Sequence, residues 1–218
     1  MSPKPHSRAW LAEVAVRHGG YRHPWTCTLD GPDPEEVFDG LLDRLLTSSP
    51  RVLEAGCGHG PDALRYRARA ARWVGYDYSL ELLALARKNA PDAEFVLWDG
   101  KAPPPAELDP PFDLIVSQRG PTSVISHLPA LAAPDARFLY VGPGWDVPQA
   151  RERLAYIGWP ALGEWRSRVR AWLPTREDYA LMCEFNRLEP DELHWAANLT
   201  PRGLPYFEER LTLLCAPT

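Results

Sequence analysis

A chain of 218 residues with 45% hydrophobic content can bury one substantial core, and no apolar run in it is long enough to span a bilayer. A formal charge of −5 disfavours broad electrostatic attraction to nucleic acid. The four cysteines, Cys27, Cys57, Cys183 and Cys215, are scattered without a C-x-x-C pair, which argues against a zinc ribbon or a disulfide framework and fits a reducing, cytoplasmic setting.

Residues 1–35 read as an N-terminal segment, irregular apart from a short helix around 9–17, in which Glu13 breaks the apolar run that a secretory leader would need. The segment carries Tyr21, His23 and Trp25, and His18, His23 and Cys27 match no zinc spacing, so no metal is expected. From Glu35 to Leu46 the residues Val37, Leu41, Leu42, Leu45 and Leu46 share one helical face. A short buried strand follows, ending in Glu54, then a turn with Gly56, Gly58 and Gly60 and a helix start at Pro61-Asp62. Alternate glycines leave main chain that a ligand can approach closely, and the free N–H groups of the helix start add donors. A nucleotide-like cofactor is therefore expected. A dinucleotide is disfavoured, because G-x-G-x-x-G would need glycine where Pro61 stands, and a P-loop fails for want of Gly-Lys-Ser/Thr.

A second strand, Arg72 to Asp77, closes on an acid that the βαβ spacing puts beside the glycine turn, where a carboxylate can accept bonds from ribose hydroxyls. After a helical pattern at Leu80–Ala86 come a third strand-plus-acid, Phe95 to Asp99-Gly100, and a strongly apolar fourth strand, Phe112 to Ser117. A fifth strand is expected over 136–141 and a helix over 146–156.

The E-x-G-x-G-x-G turn, with these acids in order behind it, resembles motif I and its successors in the class I S-adenosylmethionine-dependent methyltransferases. The resemblance covers roughly residues 50–142. It implies S-adenosylmethionine as cofactor, with Glu54, Gly56, Cys57, Gly58 and Gly60 at its amino-acid end. Asp77 and Tyr78 would then hold the ribose, Trp98, Asp99 and Gly100 the adenine, and Ser117 would lie beneath the methyl-transfer site. The family's usual Pro-Gly-Gly turn before strand five is replaced by Pro134-Asp135-Ala136.

The implied fold is α/β, a Rossmann-like, mostly parallel seven-stranded sheet with the last strand antiparallel and helices on both faces. A single domain spans 1–218, with a cofactor-binding core at 36–142. Residues 165–172 and 207–215 read as the final strand pair, and the helical insertion at 174–204 between them reads as a cover over the acceptor pocket.

Asp109-Pro110-Pro111-Phe112 imitates the motif of amino-methylating nucleic-acid enzymes but precedes strand four instead of following it, so it lies at the wrong end. No Pro-Cys pair offers a cytosine-methylating nucleophile. Arg166, Arg168 and Arg170 read as a solvated strand face partnered by Glu208 or Glu209. These features favour a small-molecule acceptor, with no membrane partner and a monomer or homodimer. The rival readings are an RNA or protein acceptor and a non-catalytic cofactor-binding protein. Gln118 and Arg119, then Tyr21, His23 and Trp25, are placed to touch the acceptor. No catalytic base is identifiable from the residues alone.

Overall fold

The computed structural model describes residues 3–218. Helix α1 (Arg8–His18), the two-residue strand β1 (Thr28–Leu29) and helix α2 (Glu36–Leu45) precede the alternating core. The core runs β2 (Arg51–Ala55), α3 (Pro61–Tyr66), β3 (Arg72–Asp77), α4 (Leu80–Asn89), β4 (Glu94–Leu97), β5 (Phe112–Gln118), α5 (Leu128–Leu131), β6 (Ala132–Gly142) and α6 (Val147–Tyr156). A long hairpin, β7 (Ala161–Leu173) and β8 (Leu204–Cys215), closes the chain, with α7 (Arg176–Phe185) and α8 (Glu192–Asn198) between its strands. Among the described residues, no helix is long and apolar enough to cross a membrane.

The eight strands lie in the order β1-β7-β8-β6-β5-β2-β3-β4. Strands β2 to β6 pair in parallel, whereas β8 runs antiparallel to both β6 and β7. The expected count of seven is corrected to eight, because β1 pairs antiparallel with β7 at the sheet edge through Thr28↔Trp172 and Leu29↔Ala171. Two residues make too short a run to show period-two patterning, which is why the sequence hid it. The fifth core strand also starts earlier than expected. Pro134-Asp135 is no turn before it but a bulge within it, where pairing with β5 jumps from Phe112↔Ala132 to Leu114↔Arg137.

The strand faces divide the core into two layers. Val52, Leu114, Val116, Leu139 and Val141 pack under α2, α3 and α4 with Phe38, Leu42 and Leu83. Leu53, Ile115, Phe138, Leu211 and Leu213 face the other way, under α5 and α6. Fully burying each such side chain is worth about 1.5–3 kcal/mol. Helices on both faces leave the carboxyl ends of the strands open, and the strand order reverses between β2 and β5. In open α/β sheets that crevice is where ligands bind.

The arginines on and after α3 pair with carboxylates, Arg65 with Asp39, Arg69 with Asp43, and Arg72 with Glu94 and Asp109. Arg166 and Arg168 share Glu209, and Arg168 also lies over the Phe207 ring, 3.8 Å from its centroid.

The N-terminal segment folds back across the top of the sheet. Ser7 caps α1 by accepting the Trp10 N–H, and α1 buries Trp10, Leu11, Val14 and Ala15 against Leu82 of α4 and Phe185 of α7. Trp10 Nε1 donates to the Phe185 carbonyl at 3.1 Å.

Candidate cofactor and acceptor site

The ends of β2, β3 and β5 open into a cavity of about 340 Å³, within the range of roughly 300–1,000 Å³ usual for small-ligand sites. Its floor is the turn after β2. Gly58 has φ +53, and a side chain there would meet nothing closer than Tyr21 Cβ at 3.9 Å, so this main chain borders open space. On the far side Gly120 allows a close approach of another kind. A Cβ at that position would fall 2.2 Å from the Ala55 carbonyl, so glycine is what lets the loop after β5 lie against the end of β2.

Asp77 locks the turn in place. One carboxylate oxygen accepts the Gly58 N–H at 3.0 Å and the other the Ser79 N–H at 2.9 Å. Burial raises its pKa, and the donations from Ser79 and Gly58 oppose that shift. Glu54, only 4% exposed, accepts the Trp73 indole N–H at 2.8 Å. Burial holds its pKa well above the usual carboxylate range, and the neighbouring Asp62 adds to the effect. Asp62 itself is 7% exposed and is pushed up to about 7, first by burial and then by Asp39 and Glu35.

Opposite the glycine turn lies a polar rim organised by Glu35. Its carboxylate accepts from Gln118 Nε2 at 2.8 Å and from Arg210 Nε at 2.9 Å, and it pairs with Arg119 Nε at 3.1 Å. Arg119 is held in a left-handed conformation at φ +53, an unusual state for a side-chain-bearing residue.

The cover comes from the N-terminus. His6, Leu11 and Tyr21 complete the cavity wall, and the Tyr78 hydroxyl donates to the His6 carbonyl. His59, from the glycine turn, accepts from Arg22 Nε at 3.1 Å and so ties the same segment down. Burial, aided by Arg22, lowers the His59 pKa.

This arrangement, a glycine turn and three acids at the strand ends of a doubly wound sheet, has recognisable relatives. Residues 52–137 match the family model described as a methyltransferase domain. The match takes in residues 52–137, and the fold is that of the class I S-adenosylmethionine-dependent methyltransferases. A functionally unknown protein from Deinococcus radiodurans R1 is 53% identical over 95% of this chain and 97% of its own, with a TM-score of 0.85. A putative methyltransferase from Bacillus halodurans C-125 superposes with a TM-score of 0.62 at 16% identity, over 84% of this chain and 100% of the other. A TehB-like SAM-dependent methyltransferase from Corynebacterium glutamicum gives 0.56 at 16% identity, over 83% and 87% of the two chains. At those identities the likeness concerns the fold. No curated protein matches the sequence.

The cavity wall includes Glu54, Gly56, Cys57, Gly58, Asp77, Tyr78, Trp98 and Asp99 from the expected cofactor set, and Gln118, Arg119 and Tyr21 from the expected acceptor set. Five expected residues lie off the wall. Gly60 faces α4 instead, where a Cβ would press on Ala86 at 3.2 Å. Gly100 packs against Ser123 and Tyr76, and Ser117 is fully buried with its hydroxyl unpartnered beneath the site. His23 and Trp25 stack on each other at 4.2 Å and abut Phe185. His23 keeps an exposed edge, but loss of water around the ring, with Arg119 and Arg210 nearby, pushes its pKa down to about 4. The imidazole is therefore neutral at pH 7.

The expected cover at 174–204 is corrected as well, since none of its residues lines the cavity. The hairpin carries α7 onto the outside of the N-terminal segment, where Phe185 meets Trp10, Tyr21, His23 and Trp25 with ring centroids 4.9–6.0 Å apart. Sequence reasoning missed His6, Leu11, His59, Asp62, Leu82 and Pro121 on the wall. Of these only Asp62 and His59 carried a signal, as polar residues inside or just after the glycine motif.

Proposed function

We propose that the cavity holds S-adenosylmethionine and that the domain transfers its methyl group to a small-molecule acceptor. One observation carries the cofactor reading. Glu54, Asp62 and Asp77 are all buried on the cavity wall, and none has a cationic partner among the described residues. Buried carboxylates without counter-charge are costly, and a ligand bearing a sulfonium and an ammonium supplies that charge. At an effective dielectric of about 20, one such pair at 4 Å is worth roughly 4 kcal/mol. A pyrophosphate would meet the same acids with the opposite sign.

The bound cofactor supplies an electrophilic methyl group. The chain's own contribution is placement: Asp77 for the ribose, Trp98 and Asp99 for the base, and the Gly56–Gly58 main chain for the amino-acid end. Gln118 and Arg119, fixed by Glu35, hold the acceptor. Aligning nucleophile and methyl can supply about 7–11 kcal/mol of the barrier reduction. A small acceptor is favoured by the N-terminal segment lying over the cavity and by the net negative charge. Calorimetric titration with S-adenosylmethionine, its demethylated product and NAD tests the cofactor reading. Binding of the first two and not the third is expected, and the reverse result would overturn it. Tritiated methyl transfer into the small-molecule fraction of a cell extract, and not into its RNA or protein, is the expected acceptor result.

A further inference from the structure

Asp62 stands apart from the other acids on the cavity wall. Each Asp77 oxygen already accepts a main-chain N–H and Glu54 is pinned by Trp73, but Asp62 accepts no hydrogen bond among the described residues. It is 93% buried by complement of its 7% exposure, yet it borders the cavity. It sits in the first turn of α3, between the Glu54 carboxylate and the Glu35–Arg119 rim. The charged groups around it are Glu54 from β2, Glu35 and Asp39 from the start of α2, Arg65 on its own helix and Arg119 after β5. Both arginines are engaged elsewhere, Arg65 with Asp39 and Arg119 with Glu35.

An unpaired carboxylate in that position responds to whatever charge enters the cavity. We infer that Asp62 is the proton-exchanging group of the site, ionised when a sulfonium occupies the cavity and protonated when that charge is lost. This rests on the reading of the cavity as an S-adenosylmethionine site. Asp62 takes the proton from the acceptor's nucleophilic atom as that atom bonds to the methyl carbon. The methyl–sulfur bond breaks with its electron pair going to sulfur, so the positive charge and the carboxylate disappear in the same turnover. The acceptor is therefore a compound whose nucleophilic atom carries both a lone pair and a proton at neutral pH, a hydroxyl. Glu54 is held by the Trp73 indole, so removing Asp62 removes the carboxylate that is free to exchange.

The test needs no acceptor. Calorimetry at pH 7 in phosphate and in Tris, buffers of different ionisation enthalpy, counts the protons released on binding. S-adenosylmethionine should release about 0.5 proton more than its demethylated product, as expected when a half-protonated carboxylate ionises. Asp62→Asn should erase that difference while still binding both ligands. Equal proton counts for the two ligands in the wild type, or a difference that survives in Asp62→Asn, would overturn the assignment. Failure of the folded wild type to bind either ligand would instead overturn the cofactor reading beneath it. If circular dichroism shows that the variant does not fold, carboxyl-carbon NMR of the wild type decides. One aspartate resonance should titrate near neutrality in the free protein and in the product complex, and should stay ionised in the S-adenosylmethionine complex. No such resonance would refute the inference.

Discussion

Replacing Asp77 by alanine should damage two things at once. In the free protein its carboxylate accepts the Gly58 and Ser79 N–H groups, and both donors lose their partner when it is removed. A buried donor left unsatisfied costs about 1–3 kcal/mol. Cavity water can reach Gly58 more readily than the buried Ser79, so roughly 2–3 kcal/mol in total is expected. For a domain of this size that lowers Tm by about 4–12 °C. The second loss is to the ligand: a charge-assisted bond to a ribose hydroxyl at about 1.5–3 kcal/mol, a roughly ten- to two-hundred-fold weaker affinity. Thermal denaturation followed by titration with S-adenosylmethionine separates the two effects. An unchanged Tm would show that Asp77 does not brace the turn. Wild-type affinity in a folded variant would refute its role as the ribose ligand.

Gly58→Val puts a branched side chain into a left-handed backbone and into the open space of the cavity, so cofactor binding should be lost in titration. Asp109→Ala, at the opposite end of the sheet and ion-paired on the surface with Arg51 and Arg72, should leave binding unchanged and cost under about 1 kcal/mol in denaturant unfolding. Asp62 should contribute stability to the ligand-free protein that falls as pH rises from about 4 to 7. The unfolded chain releases the Asp62 proton near 3.8 and the native state near 7, so at this group the native state binds more protons across that window. The ceiling on this contribution is about 4 kcal/mol. His23, pushed down to about 4, acts in the opposite sense over the same window, so urea titrations at several pH values should show the Asp62 contribution as the difference between wild type and Asp62→Asn. Phe185→Ala removes the ring against which Trp10, Tyr21, His23 and Trp25 are packed. It should cost about 3 kcal/mol, raise hydrogen exchange in residues 6–25, and weaken cofactor binding although Phe185 does not touch the cavity.

The central sheet was readable because buried parallel strands are short apolar runs, and β2, β3 and β4 each end beside an acid. Spacing and the family resemblance put Glu54, Asp77 and Asp99 at the strand ends, and all three line the cavity. What spacing could not convey was which side chains face the cavity. Gly60 and Gly100 belong to the motifs, but a neighbouring helix and the Tyr76 and Ser123 side chains occupy the space their missing side chains leave. The cover was misassigned for a related reason. The length and aromatic content of residues 174–204 announced a packed insertion, but nothing local revealed its partner. The partner is Trp10, whose indole bonds the Phe185 carbonyl across 175 residues of chain. Contacts of that range leave no periodic trace.

The β7–β8 hairpin pairs with β6 only through Leu211–Cys215, so residues 204–210 and 167–173 continue past β6 as a two-stranded ribbon, packed at its far end on β1 and α7. At about 3.3 Å per residue, seven residues make an arm of roughly 20 Å. Its far end grips the cover twice, through β1 and through Asp178, which accepts the Thr26 N–H and hydroxyl at 2.8 Å each. The arm leaves the sheet at Gly142 and Leu211. A rotation of about 10° there would displace the tip by roughly 3–4 Å, more than a hydrogen bond can stretch. Pairing at that point, by residues that do not line the cavity, therefore fixes where the N-terminal cover sits.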